Sequence, residues 1–294
     1  MTGRVLLMAF MLASRPMHAQ ENPARLDSIL PLLDPARKDT LQLTLLIAVC
    51  ESWTTSPHAV PYLHRLDALS AELLTDNQRK VQRRARHARG AYHYFTGYQA
   101  KFARNLPLAL SSFEQAIADF EDGGHHHAVG ECLDALGLVY GLAGAQDRAE
   151  SAFRRELTIG RAIGHDLLKT QAFVHLASVS ASNGKYAIAW AYLDSCGGTE
   201  AADSSMVLNE RARIRELQGR GTEAERLLRK SLIVVARSNN PWDSLPALTP
   251  LARRLYAEQR YSEGLSIALI CADLAERMGD ATAQCGCINL VADG

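Results

Sequence analysis

The sequence predicts an all-α protein, a solenoid of antiparallel helix pairs. Three observations predict it. Apolar residues recur three and four positions apart along most of the chain, the period of a helix buried on one face. The small residues Ala59, Ala109, Ala149, Ala189, Ala224 and Gly264 return at steps of 50, 40, 40, 35 and 40. Self-similarity at a step of this size marks stacked copies of one unit. Composition agrees: 47% hydrophobic, 22% charged and only 6% aromatic residues in 294 suit a helical globular chain.

The first nineteen residues stand apart. Arg4 supplies a short positive region, Val5–Ser14 is an apolar run, and "RPMHA" ends at the small residue Ala19. That is the layout of a secretory signal peptide, too short to span a bilayer. An ordinary helix at a cytoplasmic N-terminus is the alternative. Residues 20–39 read as an N-terminal helical segment and 40–284 as about six degenerate helix hairpins. The stretch 285–294, with "CINLV", reads as the start of a further, truncated repeat.

The copy around residue 140 shows the logic of the unit. Leu133, Leu136 and Tyr140 fall on one helical face. Gly137 and Ala149 are small enough for two helices to approach closely. Gly144 suits the turn between them, because glycine accepts the left-handed conformation that ends helices. Phe153 is expected to fill the space between this hairpin and its neighbour.

The other copies follow the same frame. Ala59 and Leu63 mark a degenerate first copy. Gly97, Ala109, Phe113 and Ala116 mark the second; Leu176, Ala177, Gly184, Tyr186, Ala189 and Leu193 follow the best one. Gly219, Ala224 and Leu228 come next, then Leu251, Ala252, Tyr261, Gly264 and Ala268. Asp34-Pro35, Ser56-Pro57, Asn240-Pro241 and Thr249-Pro250 each place a capping side chain before a proline tolerated in a first helical turn. Pro250 predicts a short first helix in its copy, and Pro61 an irregular start to the second helix of the first. The longer step before Ala109 predicts a lengthened helix around "TDNQRKVQRRARHARG".

The series Leu133, Leu136-Gly137, Tyr140, Gly144, Ala149 and Phe153 closely resembles the tetratricopeptide-repeat pattern, with Leu in place of its Trp. The resemblance implies a right-handed superhelix whose concave groove, lined by the first helix of each hairpin, binds a protein or an extended peptide segment. In that frame the groove carries Tyr94, Tyr98, Lys101, Asp134, Gln171, Asn209, Arg213, Arg253 and Tyr256. Tyrosine and arginine are the expected energetic anchors. Family members that grip a C-terminal carboxylate use Lys, Asn and Arg on consecutive repeats; Asn209 and Arg213 supply a fragment of that set. An exported array of this kind also resembles the extracytoplasmic regions of bacterial sensor kinases and of membrane-tethered transcriptional regulators. That implies a non-enzymatic sensor or scaffold part, with an output domain beyond residue 294. A free-standing periplasmic scaffold or assembly factor is the alternative.

Other chemistry is sparse. Lys plus Arg equals Asp plus Glu, at 32 each, so no global field favours nucleic acid or an anionic membrane. No Gly-rich phosphate loop, H-E-x-x-H, G-x-S-x-G or paired C-x-x-C pattern occurs. No catalytic residue, cofactor or metal is therefore assigned, and no further stretch is apolar enough for a membrane span. Ser182-x-x-Lys185 falls on a turn between repeat helices, and His175 reads as a core histidine. The basic run Arg79–Arg89 reads as a solvated helix extension. The six cysteines, Cys50, Cys132, Cys196, Cys271, Cys285 and Cys287, read as buried free thiols.

The triplet His125–His127 raises the one metal hypothesis. Successive helical residues diverge by about 100°, so three in a row cannot all face one ion. The frame instead places them at the junction between two hairpins. There His127 shares a face with Glu131, and His165 and Asp166 stand about one helix spacing away, roughly 10 Å.

Overall fold

The computed structural model describes residues 23–54, 56–197, 204–237 and 244–277. The expected signal peptide, the expected further repeat, Asn240-Pro241, Cys285 and Cys287 lie outside the described residues. Within them no strand occurs, and thirteen α-helices follow one another. They are α1 (Pro23–Ile29), α2 (Thr40–Ser52), α3 (Val60–Leu73), α4 (Arg79–Phe102), α5 (Leu106–Gly123), α6 (His126–Leu142) and α7 (Gln146–Ala162). Then come α8 (Asp166–Ser182), α9 (Tyr186–Asp194), α10 (Ser205–Leu217), α11 (Gly221–Val235), α12 (Leu245–Ala257) and α13 (Tyr261–Arg277). Neighbours pack in pairs: α2 with α3, α4 with α5, α6 with α7, α10 with α11 and α12 with α13. Two compact units divide the chain between Ala172 and Phe173, inside α8.

The forty-residue step has a simple local origin. Helices α6 and α7 have seventeen residues each, and three-residue turns, 143–145 and 163–165, complete the unit. The turns share one closing bond. The Ala145 N–H donates to the Tyr140 carbonyl at 2.9 Å, across a Gly144 held at φ 78°. This six-residue closure satisfies a carbonyl that the helix end would leave unpaired. The same bond joins Asn105 to Ala100, Lys185 to Ser180, Arg220 to Arg215 and Arg260 to Leu255, at 2.8–2.9 Å. At two of these turns the left-handed position is not glycine: Arg104 has φ 60° and Gln259 φ 62°.

Inside each hairpin, side-chain volumes complement one another. A β-carbon added to Gly137 would lie 2.5 Å from Phe153 Cε1, and one on Gly97 would lie 2.8 Å from Phe113 Cε1. Phe113 and Phe153 are buried. Phe153 therefore seats against its own hairpin partner, not, as the sequence suggested, between neighbouring hairpins. In the second unit the same positions carry Ala212 with Leu228, which share one buried cluster, and Ala252 with Ala268, which share another. Ala177 and Leu193, also buried, complete the series. In four of these five pairs a larger residue on the second helix meets a smaller one on the first; Ala252 and Ala268 are equal in size.

Helix starts correct some of the sequence expectations. Ser56 caps a short 3-10 turn at Pro57–Ala59 that leads into α3, the irregular start expected there. Asp34-Pro35 forms a turn, with the Ala36 N–H donating to Asp34 Oδ1 at 2.8 Å, and starts no helix. Pro250 lies inside α12 and Thr249 caps nothing. The helix instead begins at Leu245, with Pro246 in its first turn, where a missing N–H costs no bond. Asp39 is a cap the sequence reading did not single out: its carboxylate accepts from Leu41 N and Gln42 N at 3.0 Å. Helix α4 runs for 24 residues, the lengthening expected before Ala109.

Candidate functional site

The residues expected to line a groove all lie on first helices: Tyr94, Tyr98 and Lys101 on α4, Asp134 on α6 and Gln171 on α8 in the first unit. Asn209 and Arg213 on α10, with Arg253 and Tyr256 on α12, belong to the second. Their exposure departs from expectation. Only Arg253 is exposed; Tyr94, Gln171 and Tyr256 are half-buried; Tyr98, Lys101, Asp134 and Asn209 are buried. The Arg213 side chain is 9% exposed. Tyr98, Lys101, Asp134, Asn209 and Arg213 are thus packing residues, not the open anchors that the frame suggested. The physical reason is coverage. Eleven of the seventeen residues of α6 are buried, so that helix keeps only a narrow outward stripe, and a 3.6-residue period cannot say which neighbour covers the rest.

These side chains form two polar clusters. In the first unit, the Tyr94 and Tyr98 rings meet edge-on at 4.9 Å between centroids, and Tyr98 stands at 88° to Phe113, 5.4 Å away. Lys101 Nζ lies 5.2 Å from the Tyr98 ring centroid, a cation over an aromatic face. Burial pushes both phenols well above their usual range, and the Asp134 charge adds to the effect on Tyr98. In the second unit, Arg213 forks onto Glu210. Its Nε reaches Glu210 Oε2 at 2.9 Å and its Nη2 reaches Oε1 at 2.6 Å. The same Nη2 donates to the Ser178 carbonyl at 3.0 Å. Burial raises the Glu210 carboxyl, and Arg213 pulls it back. Glu210, fully buried, was missed in the sequence, although the three-residue spacing to Arg213 is a helix-pair signal.

The histidine triplet splits. His125 caps α6 without a side-chain bond, and its ring meets His87 of α4 at 4.5 Å between centroids. His127 turns to His165, also at 4.5 Å, much closer than the helix spacing expected. His127 Nδ1 stands 3.8 Å from Glu131 Oε2, the shared face expected of them. Burial lowers His87 to about 4, and the neighbouring His125 and Arg84 add to the shift. His125 is lowered by burial and by Arg83, and His165 by burial and by His127. Among the described residues no three His, Cys, Asp or Glu side chains come together as a metal-binding group. Nor is any helix there long and apolar enough to cross a membrane.

The basic run occupies the first half of α4. Arg79, Lys80, Arg83 and Arg84 are exposed, and Arg83 Nε donates to the Gly123 carbonyl at the end of α5, at 3.1 Å. Arg89 pairs with the buried Asp119, its Nε at 2.8 Å from Oδ1. Cys50, Cys132, Cys196 and Cys271 are buried free thiols; burial pushes Cys50 to about 12 and Cys196 to about 11, where neither is a nucleophile at neutral pH. No protein-family model matches the chain, and no curated protein matches it at a significant level.

Proposed function

We propose that the chain is a tetratricopeptide-like, right-handed repeat scaffold that binds an extended segment of a partner protein along its first helices. It is a non-enzymatic module of an exported signalling protein, the sensor or scaffold part. One observation carries the reading: the hairpin recurs with its closing turn at the same position in five copies, at Arg104, Gly144, Gly184, Gly219 and Gln259. Within each unit, recurring hairpins present side chains at repeated positions, an arrangement that suits an extended ligand. Export rests on the apolar run Val5–Ser14 and the small residue at Ala19.

The burial pattern directs the test to the residues that reach solvent. Variants Gln171→Ala with Arg253→Ala address the first helices; Arg154→Ala with Arg226→Ala address second helices. Capture of envelope proteins by immobilised chain, read by mass spectrometry, is expected to lose one specific partner with the first pair of changes and keep it with the second. Equal loss from both pairs, with unchanged circular dichroism, overturns the first-helix interface.

A further inference from the structure

Position 156 breaks a rule that the other copies keep. Seven residues beyond the small residue of each copy stand Leu66, Ala116, Glu156, Cys196, Ser231 and Cys271, all buried. Where this residue is polar in another copy, it finds a hydrogen bond. Ser231 Oγ donates to the Ser205 carbonyl at 3.4 Å, Cys271 Sγ lies 3.2 Å from Thr249 Oγ1, and Cys196 Sγ reaches the Tyr192 carbonyl at 3.8 Å. Glu156 is the one carboxyl in the series. It is 0% exposed, and both of its carboxyl oxygens are buried without a hydrogen-bond partner.

A carboxylate cannot stay there. Stripping an ionised carboxyl of water without a compensating partner costs far more than burying the neutral acid, so the group keeps its proton instead. Its surroundings reinforce this. Thr249 and Cys271 show that residues twenty-two apart in this frame face each other inside a hairpin, and the residue so related to Glu156 is the buried Asp134 of α6. The other charged groups nearby are engaged elsewhere. Arg155 pairs with Glu121 of α5, Arg154 with Glu150, and Lys169 with Asp166 at the start of α8; on α6, Glu131 lies by His127. On α4, Lys101 lies over Tyr98. Burial first, and the Asp134 charge second, hold the Glu156 carboxyl well above the carboxylate range.

We propose that Glu156 is a proton-operated latch between α6 and α7. The hairpin closes over the neutral carboxylic acid; ionisation releases the proton to solvent, and the carboxylate so formed reaches water only when the two helices part. The direction follows from linkage. A carboxyl raised in the folded state contributes stability that is complete below its unfolded value, near 4.3, and that is lost as pH rises towards the folded value. Within that window each pH unit lowers the ratio of folded to unfolded protein by up to about tenfold.

The full chain, unfolded in urea at a series of pH values from 5 to 9, tests this against Glu156→Gln and Glu156→Ser, the latter reproducing the residue at Ser231. The lowered histidines His87, His125 and His165 are common to all three proteins and cancel from the comparison. The wild-type chain is expected to lose stability relative to both variants as pH rises. Hydrogen-exchange protection, corrected for the intrinsic rate, should fall first in α6 and α7. If Glu156→Gln does not fold, Glu156→Ser carries the comparison. The carboxyl carbon resonance that disappears in the variant reports Glu156 directly in the wild type. Parallel pH profiles, or titration of that resonance at an ordinary carboxyl pH, overturn the latch.

Discussion

Replacing Gly137 by alanine tests the packing rule of the hairpins at its tightest point. The added β-carbon would meet three Phe153 ring atoms at 2.5, 2.7 and 2.9 Å, so the ring must shift by about 1 Å to restore ordinary contact. Phe153 is only 3% exposed and has little room to move. Overpacking of this kind costs about 1–3 kcal/mol, while alanine regains about 1 kcal/mol of helix propensity. A net loss of up to about 2 kcal/mol is expected. Phe153→Leu alone should also destabilise, by about 1 kcal/mol, through lost apolar burial. The double variant Gly137→Ala with Phe153→Leu recreates the Ala212 and Leu228 pair that the chain itself uses. It should therefore recover about 1 kcal/mol or more relative to the sum of the single changes. Urea unfolding of the four proteins closes the cycle. Additivity within about 0.3 kcal/mol would refute direct complementation between these positions.

Four further outcomes follow from the same structure. Arg104→Gly and Gln259→Gly should each stabilise the chain by about 1 kcal/mol in thermal or chemical unfolding, because both residues hold a left-handed conformation that costs a side chain. His87, lowered to about 4, should make stability fall as pH drops from about 6.5 towards 4, since the unfolded chain binds the proton that the folded chain resists. The full shift corresponds to about 3 kcal/mol, and His87→Phe should flatten that part of the profile. Glu210→Gln, which leaves Arg213 charged and 9% exposed, should cost about 3–5 kcal/mol in unfolding free energy. Expression with residues 1–19 intact in a bacterial host should yield a mature N-terminus near Gln20 by intact-mass measurement; an unprocessed chain would contradict export.

The hairpins are legible in the sequence because their signals are local. Gly144, Ala149 and Phe153 announce a turn, a close approach and a bulky mate by their own chemistry. Arg104 and Gln259 occupy the same turn position without any such signal, since neither residue favours a left-handed backbone; only the frame shared with Gly144 points to them. The groove residues were less legible. Periodicity places Asp134 and Asn209 on first helices but carries no information about what lies over them, and both are buried. The repeat frame places Arg213 in the groove as part of a carboxylate-gripping set, yet its guanidinium is paired with Glu210 one turn away. Glu156 gave no signal alone; its significance appears only against Ala116, Ser231 and Cys271 at the same position.

The pairing of Gly137 with Phe153, and of Ala212 with Leu228, has an evolutionary consequence. Each hairpin carries both halves of its own size code, so copying one whole hairpin copies a matched set, whereas recombination through the three-residue turn would mix a glycine from one copy with a leucine from another and leave a void. Breakpoints between hairpins preserve fit and breakpoints within them do not. Gain and loss of copies in such an array should therefore proceed by whole hairpins, and a grafted hairpin should bring its internal core along with it.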